Sequence, residues 1–225
     1  MPGYARKNIL KGSLCHHVFN RGISRRYIFE QSADKEYFCQ LLMRYKKKGK
    51  MSIYHWVIMN NHYHMLVELE HPESISCVMS GIGRAYTSYY HAKYESSGYL
   101  WEGRFKSQAV QKEEYLLSCG RYIERNPLKA GMSRRAEDYT FSSAAYYVKG
   151  NPDGITDKNR LYEVTGKTRE ERQLSYRKWL EKCDAEEEKY FDIMENPVIG
   201  KEEFKAALRK QGGHFIPRES GRLRA

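Results

Sequence analysis

Two histidines separated by one residue, His62 and His64, stand in a run of apolar and aromatic residues that is typical of a β-strand. Because side chains alternate between the two faces of a strand, both imidazoles point one way, and Tyr63, Met65 and Val67 point the other. Two imidazoles on one face can bind a metal ion. The same pattern also describes a hairpin strand with two incidental histidines, so the pair alone leaves both interpretations open.

A second group of chemically useful residues lies sixty residues downstream. Tyr122 and Asn126 are four positions apart, so on a helix they share a face. A tyrosine hydroxyl is protonated at neutral pH, but it can hold a phosphate covalently when a metal or a base lowers the barrier. The amide oxygen of Asn126 would be a third ligand beside His62 and His64, leaving positions open for phosphate oxygens.

The helix that carries Tyr122 is predicted to run from Tyr115 to Asn126, because Pro127 disfavours helical conformation in the residue before it. Tyr115 lies seven residues before Tyr122 on nearly the same face and is the rival nucleophile. We favour Tyr122 because Asn126 and the proline are in register with it, and we interpret Tyr115 as a packing residue.

The elements that must position these side chains follow from periodicity. Alternating apolar residues predict strands over 13–20, 52–59, 62–69 and 104–111, and apolar residues at helical spacing predict helices over 32–49 and 74–95. The order β-α-β-β-α-β is that of a ferredoxin-like fold of the α+β class. The tyrosine helix is then an addition to this core.

A boundary is predicted at Gly150–Gly154, where the sequence GNPDG is typical of a linker. Residues 1–150 would form the catalytic domain. Residues 151–225 would form a small helical appendage, which ends in a glycine-rich, basic and mobile tail.

Composition points to a polyanionic partner and argues against membrane insertion. The net charge is +11, and residues 1–150 carry nearly all of it, with 23 Lys and Arg against 13 Asp and Glu. A basic surface in that segment fits nucleic acid. We find no apolar run of membrane-spanning length and no signal peptide, and the five scattered cysteines indicate reduced thiols, so we expect a cytoplasmic protein.

Two blocks of sequence resemble a known family. His62-Tyr63-His64 within MNNHYHMLVE resembles the HUH motif of single-stranded DNA nucleases, and GRYIERNPLKAG at 120–131 is similar to the tyrosine helix of the single-tyrosine (Y1) transposases. HVFNRG at 17–22, LWEGRF at 100–105 and FSS at 141–143 agree with them. Over residues 10–150 the chain resembles the REP-associated tyrosine transposases, relatives of the IS200/IS605 enzymes.

This resemblance implies a mechanism. His62, His64 and Asn126 would hold Mg²⁺ or Mn²⁺, and Tyr122 would attack the scissile phosphate, giving a 5′-phosphotyrosine and a free 3′-OH. The reverse reaction would rejoin strands, so the implied substrate is single-stranded DNA with a hairpin, from a REP-like or element-end sequence. The implied location is the bacterial nucleoid. A homodimer with Tyr122 acting in the partner's site and a monomer both stay open.

The chain departs from the IS200/IS605 enzymes at one ligand position, and further residues are predicted to contact DNA. IS200/IS605 enzymes commonly have glutamine as the third ligand, so the shorter Asn126 requires its helix to sit closer to the metal. Arg104 and Phe105 are predicted to bind phosphate and stack on a base, although an exposed strand arginine is an alternative for Arg104. The cations that flank the tyrosine helix are predicted to contact the DNA backbone: Arg121, Arg125 and Lys129.

Three classes of function stay open at this point. We favour a metal-dependent endonuclease and strand transferase that acts on single-stranded DNA. The second class is a domesticated nucleic-acid-binding protein that keeps the fold without catalysis. The third is a metal-dependent phosphodiesterase that uses water as its nucleophile. A covalent protein–DNA adduct distinguishes the first class from the third.

Overall fold

The computed structural model describes residues 15–182, 188, 191 and 198–210. Its strands are β1 (Cys15–Arg21), β2 (Met51–Ile58), β3 (His62–Leu69), β4 (Lys106–Val110) and β5 (Val198–Ile199). Its helices are α1 (Ser32–Gly49), α2 (Ile75–Tyr94), α3 (Lys112–Lys129), α4 (Ala144–Lys149), α5 (Arg160–Glu163), α6 (Arg169–Glu181) and α7 (Glu202–Lys210). Three short 3-10 turns are Ile23–Arg25, Pro72–Ser74 and Ala136–Asp138. The predicted first residues of β1 and the predicted mobile tail lie outside the described residues.

The strands form one sheet in the order β2-β3-β1-β4-β5. β1 is antiparallel to both β3 and β4, and β3 forms a hairpin with β2. The short β5 adds a parallel partner to the edge of β4. The first four strands and the helices between them have ferredoxin-like topology, so the predicted α+β fold is confirmed.

The two faces of the sheet are covered by different helices. α1 and α2 pack on one face, where Tyr63, Met65 and Val67 belong to the larger apolar core. α3 packs on the other face, where Leu66 and Tyr122 belong to a second core. The predicted alternation of side chains along β3 is therefore observed. No helix in the described part of the chain is both long and apolar enough to cross a lipid bilayer.

α3 does not end before Pro127, as its sequence predicts, but continues to Lys129. A proline has no N–H to donate to the carbonyl four residues back, which here is that of Ile123. The side chain of Asn126 supplies the missing donor, because its Nδ2 lies 3.3 Å from the Ile123 oxygen and 2.8 Å from the Tyr122 oxygen. A side chain thus repairs the defect, and the predicted end at Asn126 is wrong.

The chain after Gly150 packs against the core. The backbone of Asp157 donates to the Ile53 oxygen at 2.8 Å, and its carboxylate accepts from the Ile53 N–H and forms an ion pair with Lys46. Tyr176 and Leu180 of α6 are buried beside α4. The boundary at residue 150 stays a prediction, but the contacts across it are those of one folded unit.

Through Tyr176 of α6, this segment also contacts a buried carboxylate on α3, that of Glu124. Glu124 is fully buried and accepts from His55 Nδ1 at 2.8 Å, Ser143 Oγ at 2.5 Å and Tyr176 Oη at 2.9 Å. A buried carboxylate is costly unless hydrogen bonds replace its lost water. Three elements, β2, the start of α4 and α6, therefore converge on one side chain of α3.

Replacing Tyr176 with phenylalanine tests whether α6 belongs to the core. The change leaves one bond of the buried Glu124 carboxylate unmade, so the free energy of unfolding is expected to fall by about 1–3 kcal/mol. Tyr146→Phe is the matched control, since its hydroxyl makes no hydrogen bond within the described residues, and it should change stability by less than about 0.5 kcal/mol. Equal urea midpoints for both variants would contradict this packing.

His16 is a second buried polar group, but unlike Glu124 its side chain has no hydrogen-bond partner among the described residues. It pairs with Val67 in the sheet and faces the α1 and α2 side, where it is 1% exposed. Neither ring nitrogen has a hydrogen-bond partner among the described residues. Burial lowers the pKa of His16 from 6.5 to about 4. The folded protein therefore keeps this imidazole neutral, whereas the unfolded chain protonates it.

This difference makes the stability depend on pH. Between pH 6.5 and 4 the unfolded state binds the extra proton, so the free energy of unfolding falls as the pH falls. In His16→Leu the loss of stability from pH 6.5 to 5 should be smaller than in the wild type by about 2 kcal/mol. Urea denaturation at both pH values measures it, with exposed His71→Leu as the control. A wild-type pH dependence in His16→Leu would refute the prediction.

Candidate active site

The two histidines of the HUH-like motif open β3 on the face that α3 covers. The ring centroids of His62 and His64 are 5.1 Å apart and their planes are perpendicular. The Tyr122 ring stands edge-on to His64, with a centroid distance of 5.8 Å. Tyr122 and His64 are each 3% exposed. The sheet and α3 of a single chain thus bring the predicted nucleophile and the predicted ligands together.

The Asn126 side chain has a fixed orientation beside His62. Its amide nitrogen is held by the carbonyls of Tyr122 and Ile123, so its oxygen is turned away from the helix backbone. The side chain also acts on the His62 ring, whose pKa it raises. Nδ1 of that ring contacts Asn61 Oδ1 at 2.6 Å, so Nε2 is the ring nitrogen left for a metal. The helix defect at Pro127 therefore orients the predicted third ligand.

Burial keeps the site histidines neutral. It lowers the pKa of His62 to about 4, although the Asn126 side chain acts in the opposite direction. Burial also lowers the pKa of His64 well below 6.5, and the neighbouring His17, His62 and Lys129 lower it further. His17 behaves in the same way, with a pKa of about 4. A metal ion binds the neutral imidazole, so these rings are ready to ligate near neutral pH.

The donor set fits a divalent ion of mixed nitrogen and oxygen preference. His62 and His64 offer ring nitrogens, and Asn126 offers an amide oxygen whose own N–H groups are engaged elsewhere. Within the described residues no three His, Cys, Asp or Glu side chains converge on one point. Three protein ligands leave positions for phosphate oxygens and water.

A glycine sets the distance between α3 and the sheet. A Cβ atom on Gly120 would lie 2.6 Å from three atoms of the His55 ring, which is closer than any packing contact allows. The imidazole of His55 therefore lies directly against the backbone of α3. Two residues later, Tyr122 reaches His64 from this closely packed helix.

The immediate surroundings of Tyr122 are aromatic on one side and cationic on the other. Its ring makes edge contacts with His17 and His64, and Phe191 packs at a centroid distance of 5.4 Å. The Lys129 ammonium lies 4.9 Å from the ring centroid. Tyr115, the rival nucleophile, sits two turns earlier and is a partly buried residue that packs against the apolar core under α3.

A groove of about 460 Å³ opens beside the histidines. Four cationic side chains line it: Arg21, Arg25, Arg104 and Lys106. Arg21 forms an ion pair with Glu102, which lies in the same wall. Arg104 and Lys106 are exposed. The groove therefore has the charge and the position to hold a phosphodiester chain next to His62.

The other residues predicted to contact DNA are not among those that line the groove. Phe105 is 6% exposed and belongs to the larger apolar core. Arg121 is 4% exposed, and its guanidinium stacks on Trp179 at 4.1 Å. Arg125 forms an ion pair with Glu188 at 2.9 Å, and Lys129 pairs with the same carboxylate at 3.1 Å. These contacts give Phe105, Arg121 and Arg125 structural roles in packing, and of the α3 cations only Lys129 lies against Tyr122.

Sequence analysis missed several residues of the site. Arg25 and Lys106 line the groove, Asn61 contacts His62, and His17 contacts His64. His17 is part of the HVFNRG segment that marks the family resemblance, but its role requires the pairing of β1 with β3. That register, with Phe19 opposite His64, puts His17 and His64 on one face, and it cannot be read from either strand alone.

Comparisons with known proteins come from a family description and a solved structure. The family described as "Transposase IS200 like" matches residues 11–126, which is just over half of the 225 residues. A solved structure of a REP-associated tyrosine transposase bound to a REP hairpin is similar in fold, with a TM-score of 0.50 and 18% identity. The similarity covers 71% of this chain and 90% of that one. No curated protein sequence matches this chain.

The low pKa values of the site histidines make metal affinity insensitive to mild acid. Two imidazoles with an ordinary pKa near 6.5 would lose more than about tenfold in affinity from pH 7.5 to 6.0 through protonation. Here we expect less than about a twofold change, because His62 stays neutral to about pH 4 and His64 to a lower pH than usual. Calorimetric titration with Mn²⁺ at both pH values measures the change, and a tenfold loss would contradict the burial argument.

Proposed function

Because the chain belongs to the IS200-like transposase family, we propose that it is a single-stranded DNA endonuclease and strand transferase with Tyr122 as its nucleophile. The observation that carries the proposal is the Tyr122 ring, which stands 5.8 Å from the His64 ring of the same chain. His62 and Asn126 complete the ligand set on the same side of the sheet. This arrangement favours attack by Tyr122 within its own subunit.

The proposed reaction exchanges one phosphate ester for another. The Tyr122 hydroxyl loses its proton as its oxygen forms a bond to the scissile phosphorus, the bond from phosphorus to the 3′ oxygen breaks, and that oxygen takes up a proton as a 3′-OH. A bound Mg²⁺ or Mn²⁺ supplies Lewis-acid polarisation of the phosphate. Because the 5′-phosphotyrosine stores the energy of the broken ester, a 3′-OH can reverse the reaction and join strands without ATP.

The groove beside His62 is the proposed path of the DNA strand. Arg25, Arg104 and Lys106 line it, and Arg21 adds a guanidinium that Glu102 orients. Phosphate contacts of this kind supply affinity without reading sequence, so binding should weaken steeply with salt. Lys129, beside Tyr122, is proposed to contact the scissile phosphate or its neighbour.

The proposed substrate is single-stranded DNA that contains a hairpin. The solved structure similar in fold was obtained with a REP hairpin, and we extend that class of ligand to this chain. The charge distribution supports it, because the excess of Lys and Arg lies in residues 1–150, which contain the groove. The two other functions, binding without cleavage and hydrolysis by water, become outcomes of the test below.

A covalent adduct is the decisive measurement. Labelled hairpin oligonucleotides with single-stranded flanks are incubated with protein and Mn²⁺, and the products are separated on a denaturing gel. We expect a protein–DNA band with the wild type and its complete loss in Tyr122→Phe, because phenylalanine has no oxygen to form the ester. Tyr115→Phe is the matched control on the same helix and should retain the band.

Each alternative has its own signature in this assay. Cleaved DNA without an adduct would support hydrolysis by water and contradict the tyrosine mechanism. A shifted complex on a native gel, without cleavage or adduct under any metal, would support a binding protein. An adduct that survives in Tyr122→Phe but not in Tyr115→Phe would reassign the nucleophile.

A further inference from the structure

The HVFNRG segment contributes a buried histidine that the proposed chemistry does not use. His17 is 1% exposed and lies between two polar side chains on the α3 face of the sheet. Its Nδ1 is 2.8 Å from Gln108 Oε1, and its Nε2 is 2.9 Å from His64 Nδ1. The His17 and His64 rings lie edge to edge and nearly in one plane, with centroids 5.1 Å apart and an angle of 18° between their planes. A buried side chain with two such contacts has a defined hydrogen-bond role.

The chain of contacts fixes where each hydrogen lies. An amide oxygen only accepts, so the hydrogen of a neutral His17 is on Nδ1, facing Gln108. His17 Nε2 then carries a lone pair and accepts from His64 Nδ1–H. A neutral imidazole has one N–H, so His64 Nε2 carries none. His64 is thereby held as the tautomer that leaves Nε2 free to bind a metal.

His62 is held in the same tautomer by an unrelated partner. The amide nitrogen of Asn61 donates to the Arg25 oxygen at 2.9 Å, which leaves the Asn61 oxygen facing the His62 ring. That oxygen is 2.6 Å from His62 Nδ1, which must therefore be the protonated nitrogen. A neutral imidazole has one N–H, so His62 Nε2 is bare.

We propose that His17, supported by Gln108, and Asn61 are positioning residues that hold both site histidines with Nδ1 protonated and Nε2 presented to a divalent cation. In water the tautomer with its hydrogen on Nε2 is the commoner form of histidine, so the bound geometry requires an acceptor at each Nδ1. The sheet supplies one acceptor from β1 and the β2–β3 turn supplies the other. The proposal rests on the ligand roles given to His62 and His64 above.

Asn61 has a second consequence, because it connects His62 to the groove. The Arg25 carbonyl that it binds belongs to a turn in which Ser24 and Arg25 have φ angles of 51° and 58°. Such left-handed conformations are costly for residues other than glycine and persist only when neighbouring contacts hold them. One side chain thus holds the turn that lines the groove and the ring that faces the cation.

The tautomers can be measured without metal and without DNA. Ring ¹⁵N chemical shifts of the metal-free protein, assigned through long-range ¹H–¹⁵N correlations, distinguish protonated from bare nitrogens. In the wild type we expect His62 and His64 to have protonated Nδ1. In His17→Phe, which keeps a flat ring but removes the acceptor, we expect His64 to move to the Nε2–H form and His62 to stay unchanged.

Metal affinity provides the second readout. Calorimetric titration with Mn²⁺ should show roughly 10- to 100-fold weaker binding in His17→Phe, the usual effect of losing a residue that orients a ligand. His17→Gln offers an accepting oxygen near the position of Nε2 and should restore most of the affinity. His16→Phe is the matched control, since His16 is equally buried on the same strand but faces the other side of the sheet.

Two outcomes would overturn the proposal. One is a wild-type spectrum in which His64 carries its hydrogen on Nε2. The other is His17→Phe with wild-type Mn²⁺ affinity and an unchanged His64 spectrum. Failure of the nuclease function is distinguishable, because the adduct would then be absent while the tautomers and their response to His17→Phe stay as expected.

Discussion

The buried carboxylate of Glu124 is the constraint on which the site depends. It is fully enclosed between α3, the sheet and α6, and its three donors come from His55, Ser143 and Tyr176. Leaving any of them unpaired costs more than the bond itself contributes. This fixes the rotation of α3 about its axis. Two residues away, on a different face of the helix, the same rotation directs Tyr122 toward the histidines.

Local periodicity was enough to predict the parts of the site that lie within one element. The strand pattern put His62 and His64 on one face, and helical spacing did the same for Tyr122 and Asn126. Local periodicity did not predict the end of α3. The Asn126 side chain replaces the missing backbone donor, and the helix continues past Pro127. Propensity rules describe the backbone and cannot include such a repair.

Residues that act across elements were beyond sequence reasoning for a different reason. His17 and Asn61 gain their roles from the register of β1 with β3 and from a turn that folds back on the hairpin. Charge alone does not identify a DNA contact either, because Arg121 stacks on Trp179 and Arg125 pairs with Glu188 within the chain. Only tertiary contacts distinguish an arginine that packs from one that faces a groove.

The close approach of α3 to the sheet bears on the proposed ligand role of Asn126. Asparagine is one methylene shorter than the glutamine of the IS200/IS605 enzymes, and Gly120 removes the one side chain that would hold the helix away from His55. The residue at 120 sets how close α3 lies to the sheet, and the residue at 126 sets how far its amide reaches. Residues 120 and 126 should therefore change together in evolution. A longer amide at 126 suits a more distant helix, and a more distant helix leaves room for a larger residue at 120. A larger residue at 120 alone would push α3 away from His55 and carry the proposed amide ligand of Asn126 away from the histidines.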